Sequence, residues 1–124
     1  MHLLLDTSQK GINNLALFDE KTIEFFECES INNDLLVCIE KFLDKKSLDK
    51  KSVQGIMVVV GEGGFTSTRI ATTVANSFAH VLNIPVLAIS AAQTAEVQKL
   101  IPELEKQPKG QYVSAKYSGE PNIR

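Results

Sequence analysis

Ten residues, Gly61-Glu62-Gly63-Gly64-Phe65-Thr66-Ser67-Thr68-Arg69-Ile70, separate an apolar run of strand length, Gly55 to Val60, from apolar residues at helical spacing, Ile70, Val74, Phe78 and Leu82. Glycine amides at a helix entrance suit an anion. Gly63 and Gly64 free the backbone to turn sharply, and Thr66 or Ser67 is a fitting N-cap for the helix that follows. The run lacks the lysine of a P-loop and the spacing of a dinucleotide fingerprint, so a plain strand-to-helix turn is the competing reading. A second candidate is Asp6-Thr7-Ser8 at the end of the first strand. There a carboxylate either positions a metal-bound water or a phosphate beside the Gly61 loop, or caps its own turn. Arg69 bridges the loop to a carboxylate or contacts an anion; its type fits both.

Other reactive side chains form no catalytic set. His2 and His80 are the two histidines, and neither has a neighbouring nucleophile or ligand pattern. Cys28 and Cys38 have no CxxC spacing and read as reduced, buried thiols. No serine, cysteine or zinc constellation of a peptidase is present, so no residue is assigned as catalytic and none as a metal ligand.

The elements that must position these residues follow from periodicity. Three short strands, Leu3 to Leu5, Leu15 to Phe18 and Ile23 to Cys28, are joined by turn-forming residues and predict an antiparallel meander. Leu35, Leu36, Ile39, Phe42 and Leu43 give a helix one apolar face, with Asn33 as its N-cap. The mixed-charge run Asp44 to Lys51 reads as a solvated helix end and linker. A strand ending at Val60, a helix from about Thr68 to Leu82 and a strand Val86 to Ile89 form a βαβ unit. Ser90 and Gln93 match a capping box opening a third helix that runs through Leu104. The expected architecture is α/β: one half-domain with a mixed five-stranded sheet, three strands antiparallel then two parallel, and helices on its faces.

From Ile70 to Ala95 the chain carries no Asp, Glu, Lys or Arg over 26 residues. On a helical wheel Ile70, Ala71, Val74, Ala75, Phe78, Ala79, Val81 and Leu82 fill one side, expected against the sheet. The other side is Thr72, Thr73, Asn76, Ser77 and His80, small or uncharged groups better suited to a protein interface than to open water. Ala75 and Ala79, on an i, i+4 ridge with Ala71, allow close approach of a neighbouring helix, and Val37 on the first helix is a second contact candidate. The plain alternative is a surface helix that lacks charges.

At 124 residues with 44% hydrophobic content the chain can bury one core. A net charge of -2 gives no field able to hold nucleic acid unaided. The opening Met1-His2 and three leucines are too short for a signal segment or a membrane span, which predicts a cytoplasmic protein.

The glycine-rich turn resembles that of TsaB, a bacterial family of the actin-like, sugar-kinase-like superfamily. The family reads Gly-Pro-Gly-Ser-Phe-Thr-Gly-x-Arg-Ile, and Gly61, Gly63, Phe65, Thr66, Arg69 and Ile70 stand at the matching places. Glu62, Gly64 and Ser67 depart from it, and a carboxylate at Glu62 would repel a phosphate. Leu3 to Ser8 is similar to the family's first strand and turn, and Asn83 to Ser90 to its helix-to-strand passage. The tail from Lys116 to Ile123 loosely resembles a Tyr-x-x-x-Pro ending.

The resemblance implies a ribonuclease H-like, actin-like half-domain over residues 1–106 and a tail over 107–124, with the usual second domain absent or shortened. It further implies a non-catalytic scaffold that binds and stabilises TsaD, which modifies the anticodon-adjacent adenosine of tRNA with a threonylcarbamoyl group. TsaE would join a ternary complex, tRNA would be met only through the complex, and a homodimer would form when TsaD is absent. The chain would hold no cofactor of its own, ATP and magnesium belonging to the complex. The resemblance leaves Asp6, Thr7, Ser8, Gly61, Gly63, Gly64, Thr66 and Arg69 as a vestigial anion loop. The competing expectation is a small nucleotide-binding hydrolase or phosphotransferase completed by dimerisation.

Overall fold

A computed structural model describes residues 1–30, 34–61 and 65–110, the side chains of 65–67 excepted. Five strands, β1 (His2–Asp6), β2 (Ile12–Phe18), β3 (Ile23–Glu29), β4 (Gly55–Val59) and β5 (Val86–Ile89), form one sheet in the order β3-β2-β1-β4-β5. The pairs β1·β2 and β2·β3 are antiparallel, while β1·β4 and β4·β5 are parallel. The expected mixed sheet is therefore present. Every residue of β4 is buried, because helical layers cover both faces; that is why this strand reads as an unbroken apolar run rather than an alternation.

Helices α1 (Leu35–Lys45) and α2 (Phe65–Leu82) cover the face carrying Leu3, Leu5, Leu15, Leu17, Ile56 and Val58. The opposite face, with Leu4, Ala16, Phe18, Met57 and Val59, packs against Val97, Ile101 and Leu104. Asp34 caps α1, its Oδ1 accepting the Val37 N–H at 2.9 Å. The expected cap, Asn33, lies outside the described residues. The last turns of α1 are fastened to edge strand β3: Phe42 stacks on Phe26 at 5.0 Å, Lys45 lies over the same ring, and Lys46 pairs with Glu24.

Two sequence expectations are corrected here. The third helix does not run unbroken from Ser90 to Leu104: a 3-10 stretch, Ala91–Leu100, is broken at Glu96 (φ -120°, ψ 19°) and is followed by α3 (Ile101–Glu105). Pro102 explains the restart, since its ring cannot continue a helix from upstream but fits a first turn. The predicted capping box is present, the Ser90 N–H donating to Gln93 Oε1 at 2.8 Å. Cys28 and Cys38 are not separate thiols. They form a disulfide, because the inward face of β3 lies below the first turn of α1 and brings their Cα atoms to 5.9 Å.

α3 closes down on the start of β4 at a position where a side chain would be crowded. A Cβ at Gly55 would stand 2.8 Å from Leu104 Cδ2 and 3.2 Å from His2 Nδ1. His2 itself is buried beside Phe18, ring centroids 5.6 Å apart, and its Nδ1 has no hydrogen-bond partner. Burial holds this imidazole below its ordinary range, the N-terminal amine adds to the effect, and Glu105, Asp19 and Glu20 oppose it.

Candidate functional site

Parallel pairing brings Asp6 and Gly61 to the same end of the sheet, since Leu5 sits beside Val58 and each chain leaves its strand just beyond. Gly61 has φ +84°, a left-handed conformation that glycine adopts without strain. The Asp6 carboxylate serves its own turn: Oδ1 accepts the Ser8 N–H at 2.9 Å and the Ser8 hydroxyl at 2.6 Å. Thr7 is buried, Ser8 half-buried and Arg69 exposed. Gly63 and Gly64 lie outside the described residues, as does the Thr66 side chain. Thr66 and Ser67 fall within the first turn of α2, which begins at Phe65, so neither is its N-cap. Among the described residues no three His, Cys, Asp or Glu side chains are grouped to hold a metal.

The other candidate is a groove of about 310 Å³ between α1 and α2. Two adjacent rows of α2 build one wall: Thr73, Ser77 and Val81, and beside them Val74, Phe78 and Leu82. Each row repeats every four residues and so runs as a ridge along one flank of the helix. Leu36 of α1 and Lys50 complete the lining. Lys50 stands 3.9 Å from Glu40, which leaves the groove itself apolar. Val81 is 77% exposed, Ile70 46% and Leu36 43%, so large apolar side chains face outward along this helix pair. An uncharged cluster of that kind is suited to close packing by another apolar helix face.

The sequence-predicted contact residues divide over three faces of α2. Thr73 and Ser77 line the groove, His80 is exposed, and Asn76 is half-buried, as is Val37 of α1. Ala75 and Ala79, expected both on the sheet side and on a ridge for a neighbouring helix, take the first place: with Ala71 they are fully buried and form the ridge by which α2 sits on the sheet, which leaves them no outward surface. Small side chains win that position because they let the helix axis approach closely. Thr72 is also buried, its hydroxyl donating to the Thr68 carbonyl at 2.8 Å. Conversely, the row Ile70, Val74, Phe78 and Leu82, expected against the sheet, flanks it. Ile70 and Val81 are exposed, and the other three are half-buried. Leu36, Val74, Phe78, Val81 and Leu82 are thus site residues that sequence reasoning assigned to the core. The signal for them was the alanine row, which marks the contact face more sharply than side-chain bulk.

Comparison with known proteins adds to this geometry. The family described as TsaD, tRNA N6-adenosine threonylcarbamoyltransferase, matches residues 29–118. Among solved structures, YeaZ from Pseudomonas aeruginosa is 33% identical, covering 71% of this chain and 43% of that one, with a TM-score of 0.62. A second, described as an uncharacterized protein with similarity to peptidase YEAZ from Pseudomonas aeruginosa, is 31% identical over 78% of this chain and 49% of that one, with a TM-score of 0.65. The chain spans less than half the length of either. No curated protein matches it. The competing expectation, a nucleotide-binding hydrolase, gains no support from these likenesses.

Proposed function

Because the chain belongs to the TsaD family and is similar within it to the TsaB-type protein YeaZ, we propose that it is a non-catalytic subunit that binds and stabilises TsaD for tRNA threonylcarbamoyladenosine formation. The observation that carries this reading is the apolar α1/α2 groove, with Leu36 and Val81 facing outward and no charged residue on α2 from Ile70 to its end. A helix pair of TsaD fills that groove. TsaE joins as a third component, tRNA is met only through the assembly, and ATP and magnesium are held by the partners. A second copy of this chain takes the same groove when TsaD is absent. The assembly works in the cytoplasm; among the described residues no helix is long and apolar enough to cross a membrane.

Co-expression with TsaD from the same genome, followed by size-exclusion chromatography with light scattering, tests the proposal. The expected result is one mixed peak for the natural chain and two separate peaks for Ser77→Arg, which puts a guanidinium into the groove wall without touching the core. Separate elution of the natural chain with TsaE, ATP and tRNA present would refute it.

A further inference from the structure

α1 is tied to the rest of the molecule at two levels. Its last turns hold β3 through the Phe42–Phe26 stack and the Lys46–Glu24 pair, contacts that stand without any covalent bond. Its first turn is held differently, by the Cys28–Cys38 disulfide, with Asn13 Nδ2 3.5 Å from Cys38 Sγ. Leu36, the α1 residue that lines the groove, lies on that first turn. We propose that Cys28–Cys38 is a redox latch: closed, it fixes the first turn of α1 on β3 and holds Leu36 in the groove wall; opened by a small thiol reductant, it lets that turn move and weakens docking.

The chemistry balances without a further reactant. Cys28 is 7% exposed and Cys38 0%, so Cys28 on the edge strand is the less sheltered of the two and the first to be attacked. A thiolate of the reductant bonds to Cys28 Sγ, and the Sγ–Sγ electron pair leaves with Cys38 as thiolate, which takes a proton. A second reductant thiolate attacks the mixed disulfide at the reductant's own sulfur and releases Cys28. Two reductant thiols become one disulfide, and the chain gains two electrons and two protons. Once the bond is open, the first turn keeps only its non-covalent hold, chiefly the buried Leu35 side chain.

The consequence for docking rests on the proposed TsaD reading, whereas the latch itself is read on the free chain. Hydrogen exchange followed by mass spectrometry is compared for the oxidised chain, the chain reduced with dithiothreitol, and Cys28→Ser. Residues 35–39 are expected to exchange roughly tenfold faster or more in the reduced and substituted forms, with residues 70–82 unchanged. Docking to TsaD is expected to weaken by about the same factor. Equal exchange in all three forms overturns the latch, as does an air-oxidised chain whose intact mass lacks the loss of two hydrogens. Faster exchange at 35–39, with TsaD bound in neither redox state, supports the latch and removes the docking reading instead.

Discussion

Two glutamate substitutions six residues apart on α2 should fail in opposite ways. Ala75 is fully buried on the sheet, and Val81 is 77% exposed at the groove. Ala75→Glu drives a carboxylate into the packed layer between α2 and β4, where desolvation and overpacking together cost more than about 3 kcal/mol. Against a total stability of roughly 5–15 kcal/mol, that loss is large. At a urea slope of about 1.5 kcal/mol/M it moves the unfolding midpoint down by about 2 M. Val81→Glu leaves the free chain within about 0.5 kcal/mol of its natural stability, because the new side chain stays in water. Its cost falls on docking: about 1.5 kcal/mol of valine burial is lost, and desolvating the carboxylate adds at least about 2 kcal/mol. The sum is a few-hundred-fold rise in Kd. Urea unfolding followed by circular dichroism reads the first effect, and calorimetric titration with TsaD reads the second. A stably folded Ala75→Glu would refute the orientation of α2, and undiminished docking by Val81→Glu would remove the groove as the interface.

Gly55→Ala should cost about 1–3 kcal/mol, since its methyl would meet Leu104 Cδ2 at 2.8 Å, and pairing it with Leu104→Ala should recover part of that cost in a double-mutant cycle. Strict additivity by thermal unfolding would mean that the close approach is relieved elsewhere. Stability should fall as pH drops below the ordinary histidine value of 6.5: burial lowers the His2 pKa, so the unfolded chain binds the proton first and the folded state loses ground until its own pKa is passed. His2→Phe should remove this limb while keeping the steeper carboxylate limb at lower pH. An identical slope for both chains just below pH 6.5, by urea unfolding at stepped pH, would contradict the burial argument.

Legibility in the sequence tracked how local each cause was. β4 and β5 were readable because a strand covered on both faces leaves an unbroken apolar run, and the meander because its turns carry their own signals. The broken helix after Ser90 was harder. Its capping signal is local and real, but Pro102 acts on the turn before it, so a run with an acceptable start was read through to Leu104. The disulfide was not readable at all. Cys28 and Cys38, ten residues apart, fall on different elements, and their meeting depends on how α1 lies across β3. A spacing rule built for a single turn, such as CxxC, carries no information about that crossing.

The candidate site teaches a narrower point about reading helices. The helical wheel placed Ile70, Val74, Phe78 and Leu82 against the sheet together with Ala71, Ala75 and Ala79, yet only the alanine row is fully buried. A helix over a sheet can come closest along its smallest side chains, and bulkier residues then straddle the flanks, where they close the core's margin and still show part of their surface. α2 therefore has two reasons to lack charge. Its alanine row and Thr72 lie in the interior, while Val74, Phe78, Val81 and Leu82 border the groove. Burial in the single chain accounts for the first set. It does not account for Val81, exposed beside an apolar groove that Leu36 extends onto α1. The uncharged flank of α2 thus acquires a physical reason when a second apolar helix face covers it, and that requirement makes an outward residue such as Val81 a sharper probe of function than any residue of the core.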